Sequence, residues 1–198
     1  MLERLRTPWR SVIRPLAEVL HRLGASPSQV TWVGTLACVL AALATWGMGY
    51  LWQGSVAIAV CVLGDSLDGE LARITNSESR WGAFLDSTLD RIADATILAV
   101  LAWHCAYYAG SLAGAALAVV ALIAGQVTSY VKARGEALGA KVTGGLATRA
   151  DRLAIVLAGA FVADLVWFPV VYIALAWLCV AGGITIAQRM RQVRQELE

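Results

Sequence analysis

Charge is the scarcest commodity in this sequence. Asp, Glu, Lys and Arg together make up 15% of its 198 residues, against about a quarter in a soluble domain. Histidine is nearly missing: His21 and His104 stand alone, so a histidine-based site is not expected. Cys38, Cys61, Cys105 and Cys179 are widely spaced and form no CxxC pair. That excludes a disulfide framework or a zinc site and leaves them as small buried hydrophobes. Alternation of polar and apolar residues is absent too. Runs such as LAGAALAVVALIAG cannot be strands of a lipid-facing barrel, so any membrane crossing must be helical.

What is present is long apolar sequence. The chain is 59% hydrophobic with eight Trp, and its mean hydropathy is +0.65. A bilayer core needs about 20 apolar residues per helix. Six segments are read as spans, near 30–51, 55–73, 82–108, 112–132, 153–166 and 168–187, the fifth short and ending near Trp167 and Pro169. Residues 1–26 carry Arg4, Arg6, Arg10 and Arg14 interleaved with Leu5, Trp9, Val12, Ile13 and Leu16. No apolar core precedes a cleavage site, so this is not a signal peptide. It reads as an amphipathic helix lying on an anionic leaflet, or else as a solvated basic tail. The expected fold is thus an all-α membrane protein. It is one domain, 1–198, with an interfacial helix (1–26) followed by a six-helix bundle (27–198). Ser26, Pro27 and Gln29 mark the start of the first span with a capping serine, an N1 proline and a capping-box glutamine.

Basic residues avoid one side. The loops near 47–55, 104–112 and 164–168 hold no Lys or Arg, and Asp164 is their only formal charge. All 16 basic residues fall on the other side, in both tails and in the regions 73–91 and 132–152. By the positive-inside rule both termini are cytoplasmic in a multi-pass protein of the cell membrane. No nucleic-acid partner is expected.

The same face concentrates acid. Asp65 and Asp68 are three apart, and Asp86 and Asp90 four apart, so each pair shares a helical face. The short polar linker TNSESR makes the two helices antiparallel neighbours, and four carboxylates converge. Asp65 lies roughly 15 Å along its helix from Ser55, too deep to face lipid. A carboxylate at a helix centre costs about 2.5 kcal/mol or more, and four together demand cations. Arg73 and Arg91 would neutralise two in a purely structural ion-pair network. Alternatively the oxygen-only donors hold Mg²⁺ or Mn²⁺, which points to a phosphorylated substrate. Gly69, Ala72 and Gly82 frame the cluster, either to admit a ligand against backbone or to pack helices closely.

The full spacing is Asp65-x-x-Asp68-Gly69-x-x-Ala72-Arg73, eight residues, Gly82, three residues, Asp86, three residues, Asp90. It resembles the signature of the CDP-alcohol phosphotransferases, with every position filled. The resemblance implies a six-helix membrane enzyme, usually a homodimer, that moves a phosphatidyl group from a CDP-linked lipid to an alcohol and releases CMP. It further implies that Asp65 and Asp86 bridge two Mg²⁺ (or Mn²⁺), with Asp68 completing one site and Asp90 the other. Asp90 is also the implied catalytic base. Asp68, Gly69, Ala72, Arg73 and Ser79 would hold the CDP moiety of CDP-diacylglycerol. The turn Ser28, Gln29, Val30, Thr31 resembles a nucleotide-lining stretch, although relatives often carry Asp or Asn where this chain has Ser28.

The second half bears on the acceptor. Lys132, Arg134, Arg152 and Arg189 stand at helix ends around the expected cavity. A cationic pocket there suits an acceptor that is itself phosphorylated; the competing view is positive-inside anchoring. SYVKARGE, the Gly144-Gly145 pair before TRADR, and the late AQR resemble the actinobacterial phosphatidylinositol phosphate synthase branch of the family. That branch implies inositol phosphate as acceptor, with Lys132, Arg152 and Arg189 on its phosphate. Glycerol 3-phosphate, giving phosphatidylglycerophosphate, is the nearest alternative. A membrane prenyltransferase or a carboxylate-lined cation transporter would also use intramembrane aspartates, but neither accounts for the continuous motif.

Overall fold

The computed structural model describes the backbone of residues 6–198 and side-chain surroundings from Ile13 onward. The expected roles of Arg4 and Leu5, and of the side chains of Arg6, Trp9, Arg10 and Val12, lie outside the described residues. Every regular element among the described residues is helical: α1 (Arg6–Arg22), α2 (Pro27–Thr45), α3 (Leu51–Gly64), α4 (Ser66–Ile74), α5 (Arg80–Tyr107), α6 (Leu112–Ala137), α7 (Arg149–Leu165) and α8 (Val170–Leu197), with a 3-10 turn at Trp46–Met48.

Helix starts follow from capping side chains. Ser26 opens α2 with the expected capping box: its hydroxyl accepts from the Gln29 amide at 3.3 Å, and Gln29 Oε1 accepts from the Ser26 amide at 2.9 Å. Thr148 and Asp151 repeat the motif at α7. Ser79 and Ser111 cap α5 and α6.

Among the described residues, three helices are long and apolar enough to cross a membrane: Pro27–Met48, Leu112–Ala137 and Val170–Leu197. The other expected spans are shorter or more polar. The stretch read as one span over 55–73 is two helices, α3 of 14 residues and α4 of 9. The break falls at Asp65, whose backbone stays right-handed (φ −55°, ψ −29°) while the regular helix is interrupted. α5 has 28 residues, but Asp86, Asp90, Arg91 and Asp94 crowd its first half. α7 has 17 residues and begins at Arg149, four residues before the expected span.

The six longer helices pack as a ring, in the order α2, α5, α6, α8, α7, α3 and back to α2. Ile97 and Leu101 of α5 are fully buried with Trp46, Ile58 of α3, Val156 of α7 and Leu175 of α8. Outward faces stay apolar: Trp32, Leu36, Leu40 and Leu43 form an exposed stripe on α2, and Ile173, Trp177, Val180 and Ile184 form one on α8. Those stripes repeat at helical spacing and suit lipid contact. α1 packs on α4; Ile13 and Ala17 are buried while Leu16, Val19 and Leu23 are exposed.

The end far from the aspartates is tied by polar contacts. Asp164, the one charge in its turns, accepts from the Trp52 amide at 3.0 Å and so caps α3. Trp46 Nε1 donates to the Leu51 carbonyl at 2.8 Å, and His104 Nδ1 meets the Trp46 carbonyl at 3.0 Å. His104 is therefore a satisfied buried histidine. All four cysteines are free, Cys38 and Cys105 buried, as expected of small apolar fillers.

Adjacent glycines on α8 give a direct test of the packing. A Cβ on Gly182 would lie 2.8 Å from the Ala124 Cβ, whereas one on Gly183 would meet nothing within 4 Å. Gly182→Ala is expected to cost about 1–3 kcal/mol through overpacking, seen as a lower Tm in detergent. Gly183→Ala should hold or raise Tm, since alanine favours helix by roughly 1 kcal/mol. Equal behaviour of the two would contradict this α6–α8 contact.

Candidate metal and substrate site

Carboxylates meet where α3 gives way to α4 against the first half of α5. One carboxylate oxygen from each of Asp65, Asp86 and Asp90 lies within 4.8 Å of the others. The i, i+4 spacing on α5 aligns Asp86 with Asp90, and the break at Asp65 brings the third group to them. Asp68 does not join this triple. Its Oδ2 accepts from the Thr31 hydroxyl at 2.6 Å and its Oδ1 from the Gly69 amide at 2.5 Å, so the expected fourfold convergence is threefold. Asp68 instead ties α4 to the start of α2.

The cation within this cluster is Arg149. Its Nη1 lies 2.8 Å from Asp90 Oδ1 and 3.2 Å from Asp65 Oδ2. Its Nε lies 3.1 and 3.2 Å from the two oxygens of Asp94. The arginines expected to neutralise the acids behave differently. Arg73 pairs with Glu70 and Glu78 at 3.5 and 3.4 Å. Arg91 bonds Ser129 and reaches Asp94 at 3.3 Å, but approaches Asp90 only to 3.9 Å. Nothing in the sequence assigns Arg149 a partner. The available signal was Asp94, one turn beyond Asp90 on the same acidic stripe.

The donor set is hard and anionic. Cysteine and histidine are absent from the triple, and oxygen-only ligands select Mg²⁺ or Mn²⁺ over zinc. Oxygens on opposite sides of a Mg²⁺ stand about 4 Å apart, so a triple within 4.8 Å needs only small side-chain movement to share an ion. The residues fit a divalent cation.

Gly69 strengthens that reading. It is exposed, and a Cβ added there would meet nothing within 4 Å, so helix packing does not explain it. At Gly82 a Cβ would approach only Ser79 Oγ, at 3.2 Å. Other residues expected to face the nucleotide have structural tasks. Gln29 closes its capping box, Thr31 holds Asp68, and Ser79 Oγ accepts from the Gly82 amide at 3.0 Å. Ser28, Val30 and Ala72 are half-buried, and Arg73 is exposed.

Across the site stands the cationic group. Arg152 is half-buried, yet its Nη1 is shielded from solvent and has no hydrogen-bond partner. It lines a narrow cleft together with Asp94, Gln126, Arg149 and an apolar floor that includes Ile97 and Leu178. Arg189 donates from Nε to the Gly144 carbonyl at 2.9 Å and from Nη1 to the Thr128 carbonyl at 2.7 Å, strapping the 139–148 loop to α6. Lys132 is exposed, 3.8 Å from Glu136, one turn beyond Thr128 and Ser129. Arg134 is exposed and sits about 200° around the helix from Lys132, so the structure does not gather it with the others.

The chain is similar in sequence and fold to known proteins. The sequence profile of the CDP-alcohol phosphatidyltransferase family matches residues 25–190. The phosphatidylinositol phosphate synthase of Cutibacterium acnes is 42% identical to this chain over the whole length of both. That of Mycolicibacterium smegmatis is 40% identical, over 96% of this chain and 86% of its own. Crystal structures of the Mycobacterium tuberculosis phosphatidylinositol phosphate synthase superpose on this fold at 39% identity. The form with CDP-DAG bound has a TM-score of 0.89, over 92% of this chain and 94% of the other. The form with manganese and citrate has a TM-score of 0.88, over 91% and 88%. With the acidic motif complete and the match running through nearly the whole fold, the chain belongs to the CDP-alcohol phosphatidyltransferase family.

Proposed function

We propose that the protein transfers the phosphatidyl group of CDP-diacylglycerol to inositol phosphate, forming phosphatidylinositol phosphate and CMP. The observation that carries this reading is the carboxylate triple of Asp65, Asp86 and Asp90, set across from the partnerless Nη1 of Arg152. One pole suits metal and diphosphate; the other suits an anionic acceptor. The names of the relatives, all phosphatidylinositol phosphate synthases, support the acceptor choice.

Asp65, Asp86 and Asp90 would be the core ligands of two divalent ions, and Asp68 would join them by giving up its contact with Thr31. Ions held there supply Lewis acidity to the diphosphate and offset charge on the departing CMP. The chain does the rest. Gly69 lets the nucleotide approach the backbone of α4 without a side chain in the way. Arg152, with Arg189 and Lys132, holds the acceptor's phosphate and turns its hydroxyl toward the lipid-side phosphorus. Asp90 takes the proton as the hydroxyl oxygen bonds to that phosphorus and the bond to the CMP oxygen breaks. Arg134 is left as an anchoring charge.

The same reading sets the protein in the cell membrane as one domain over 1–198. Crossings by α2, α3 with α4, α5, α6, α7 and α8 would place both termini and the site on the cytoplasmic side. The charge map supports this, because the far-end turns hold only Asp164. Leu16 and Val19 of α1, and Leu23 just after it, are exposed, which supports a helix lying in the lipid interface. Family membership supports a homodimer.

An acceptor screen tests the assignment. With CDP-diacylglycerol and Mg²⁺ or Mn²⁺, inositol phosphate should be consumed far faster than glycerol 3-phosphate, free inositol or serine, and a chelator should abolish turnover reversibly. Preference for glycerol 3-phosphate would move the protein to phosphatidylglycerophosphate synthesis.

Arg152→Ala should raise the acceptor KM by about 10- to 100-fold, the worth of a charge-assisted contact, with the CDP-lipid KM within about twofold. Equal effects on both substrates would contradict the pocket assignment.

Gly69→Ala should leave Tm unchanged or higher while weakening CDP-lipid binding. A fall in Tm with binding intact would show that the glycine serves packing.

A further inference from the structure

Arg149 contacts two of the three groups that a metal ion would need. Nη1 lies 2.8 Å from Asp90 and 3.2 Å from Asp65, and those carboxylates also belong to the candidate ligand triple. A guanidinium and a divalent ion cannot both draw on the same lone pairs at full strength. The arginine is held by a second nitrogen, however. Nε meets both oxygens of Asp94 at 3.1 and 3.2 Å, and Asp94 lies outside the triple, one turn further along α5. The hold on Asp94 therefore survives when Nη1 lets go of Asp65 and Asp90.

We propose that Arg149 is a resident counter-cation that competes with the divalent metal for Asp65 and Asp90, and that Asp94 is the anchor on which it withdraws when metal binds. Its physical basis is the charge problem of the site. Three carboxylates within 4.8 Å in an apolar bundle repel one another unless a cation stands among them. An arginine supplies that cation at every stage of metal exchange, so the fold does not depend on metal to stay closed. The withdrawn guanidinium also borders the cleft that Arg152 lines. Metal entry thereby frees a second positive group on the acceptor side, and the two sites become positively coupled. This inference rests on the metal reading above.

Titration calorimetry of the purified full chain with Mn²⁺ in detergent provides the test. Arg149→Gln should bind Mn²⁺ on the order of tenfold more tightly than the unaltered chain, because a competing charge is gone. Its Tm in chelator should fall, and saturating Mn²⁺ should close the gap. Arg149→Lys keeps a charge but lacks the fork that spans two carboxylates, so its affinity should fall between. Asp94→Asn should weaken Mn²⁺ binding in the unaltered chain yet change it less than about twofold in the Arg149→Gln background, as a double-mutant cycle requires of a residue acting through its partner. An Arg149→Gln affinity that is unchanged or weaker would overturn the competition. An equal Asp94→Asn effect in both backgrounds would overturn the anchor. Failure of the unaltered chain to bind Mn²⁺ at all would instead remove the metal reading itself.

Discussion

Like-charge repulsion inside a greasy bundle is the constraint around which this molecule is arranged. Two carboxylates at the 4.8 Å limit of the Asp65, Asp86 and Asp90 cluster repel by roughly 3 kcal/mol even at an effective dielectric near 20. Desolvation adds to that. The surroundings answer the problem piece by piece. The regular helix is interrupted at Asp65, Thr31 takes up Asp68, and Arg91 shares Asp94 with Arg149. Arg149 reaches in from the first residue of α7, a helix whose start is fixed by the Thr148 and Asp151 capping box. A cap on the surface thus determines where a half-buried charge arrives.

The first turn of α7 links the two halves of the site. Arg149 faces the acids, while Arg152, three residues on, faces the cleft with an unsatisfied nitrogen. An unpartnered buried guanidinium nitrogen is costly, and water, an ion or a ligand there would complete its bonding. Arg189 contributes differently: two of its nitrogens are spent on the Gly144 and Thr128 carbonyls, so it ties the 139–148 loop to α6. The bilayer supplies the reason for the depth of the arrangement. A lipid-linked diphosphate keeps its acyl chains in the membrane, and the reacting phosphorus must be met there.

Local features of the fold were legible in sequence because local physics decides them. The capping box at Ser26, the pairing of Asp86 with Asp90 and the all-helical class follow from spacing and residue type alone. The acidic motif was readable for the same reason, since its parts fall close together in the chain, between Asp65 and Asp90. Contacts between distant elements were not. Arg149 meets Asp65 across 84 positions of chain, and no periodicity reports such a partnership. The interruption at Asp65 carries no breaker signal in the sequence, because its backbone remains right-handed and no proline stands near it. Asp68 was placed with the triple on helical spacing, which holds only along an unbroken helix; with regularity lost at Asp65, the Thr31 hydroxyl at the head of α2 claims it. Arg134 was grouped with Lys132 by nearness in sequence, whereas two positions on a helix point nearly opposite ways.

The most direct measurement is electron paramagnetic resonance of the purified chain loaded with Mn²⁺, which counts bound ions and reports whether they are magnetic neighbours. If Asp65, Asp86 and Asp90 gather their charge for a shared pair, each chain should hold two Mn²⁺ with the exchange-coupled spectrum of adjacent ions. A spectrum of free Mn²⁺ only, or of a single isolated ion per chain, would contradict that account.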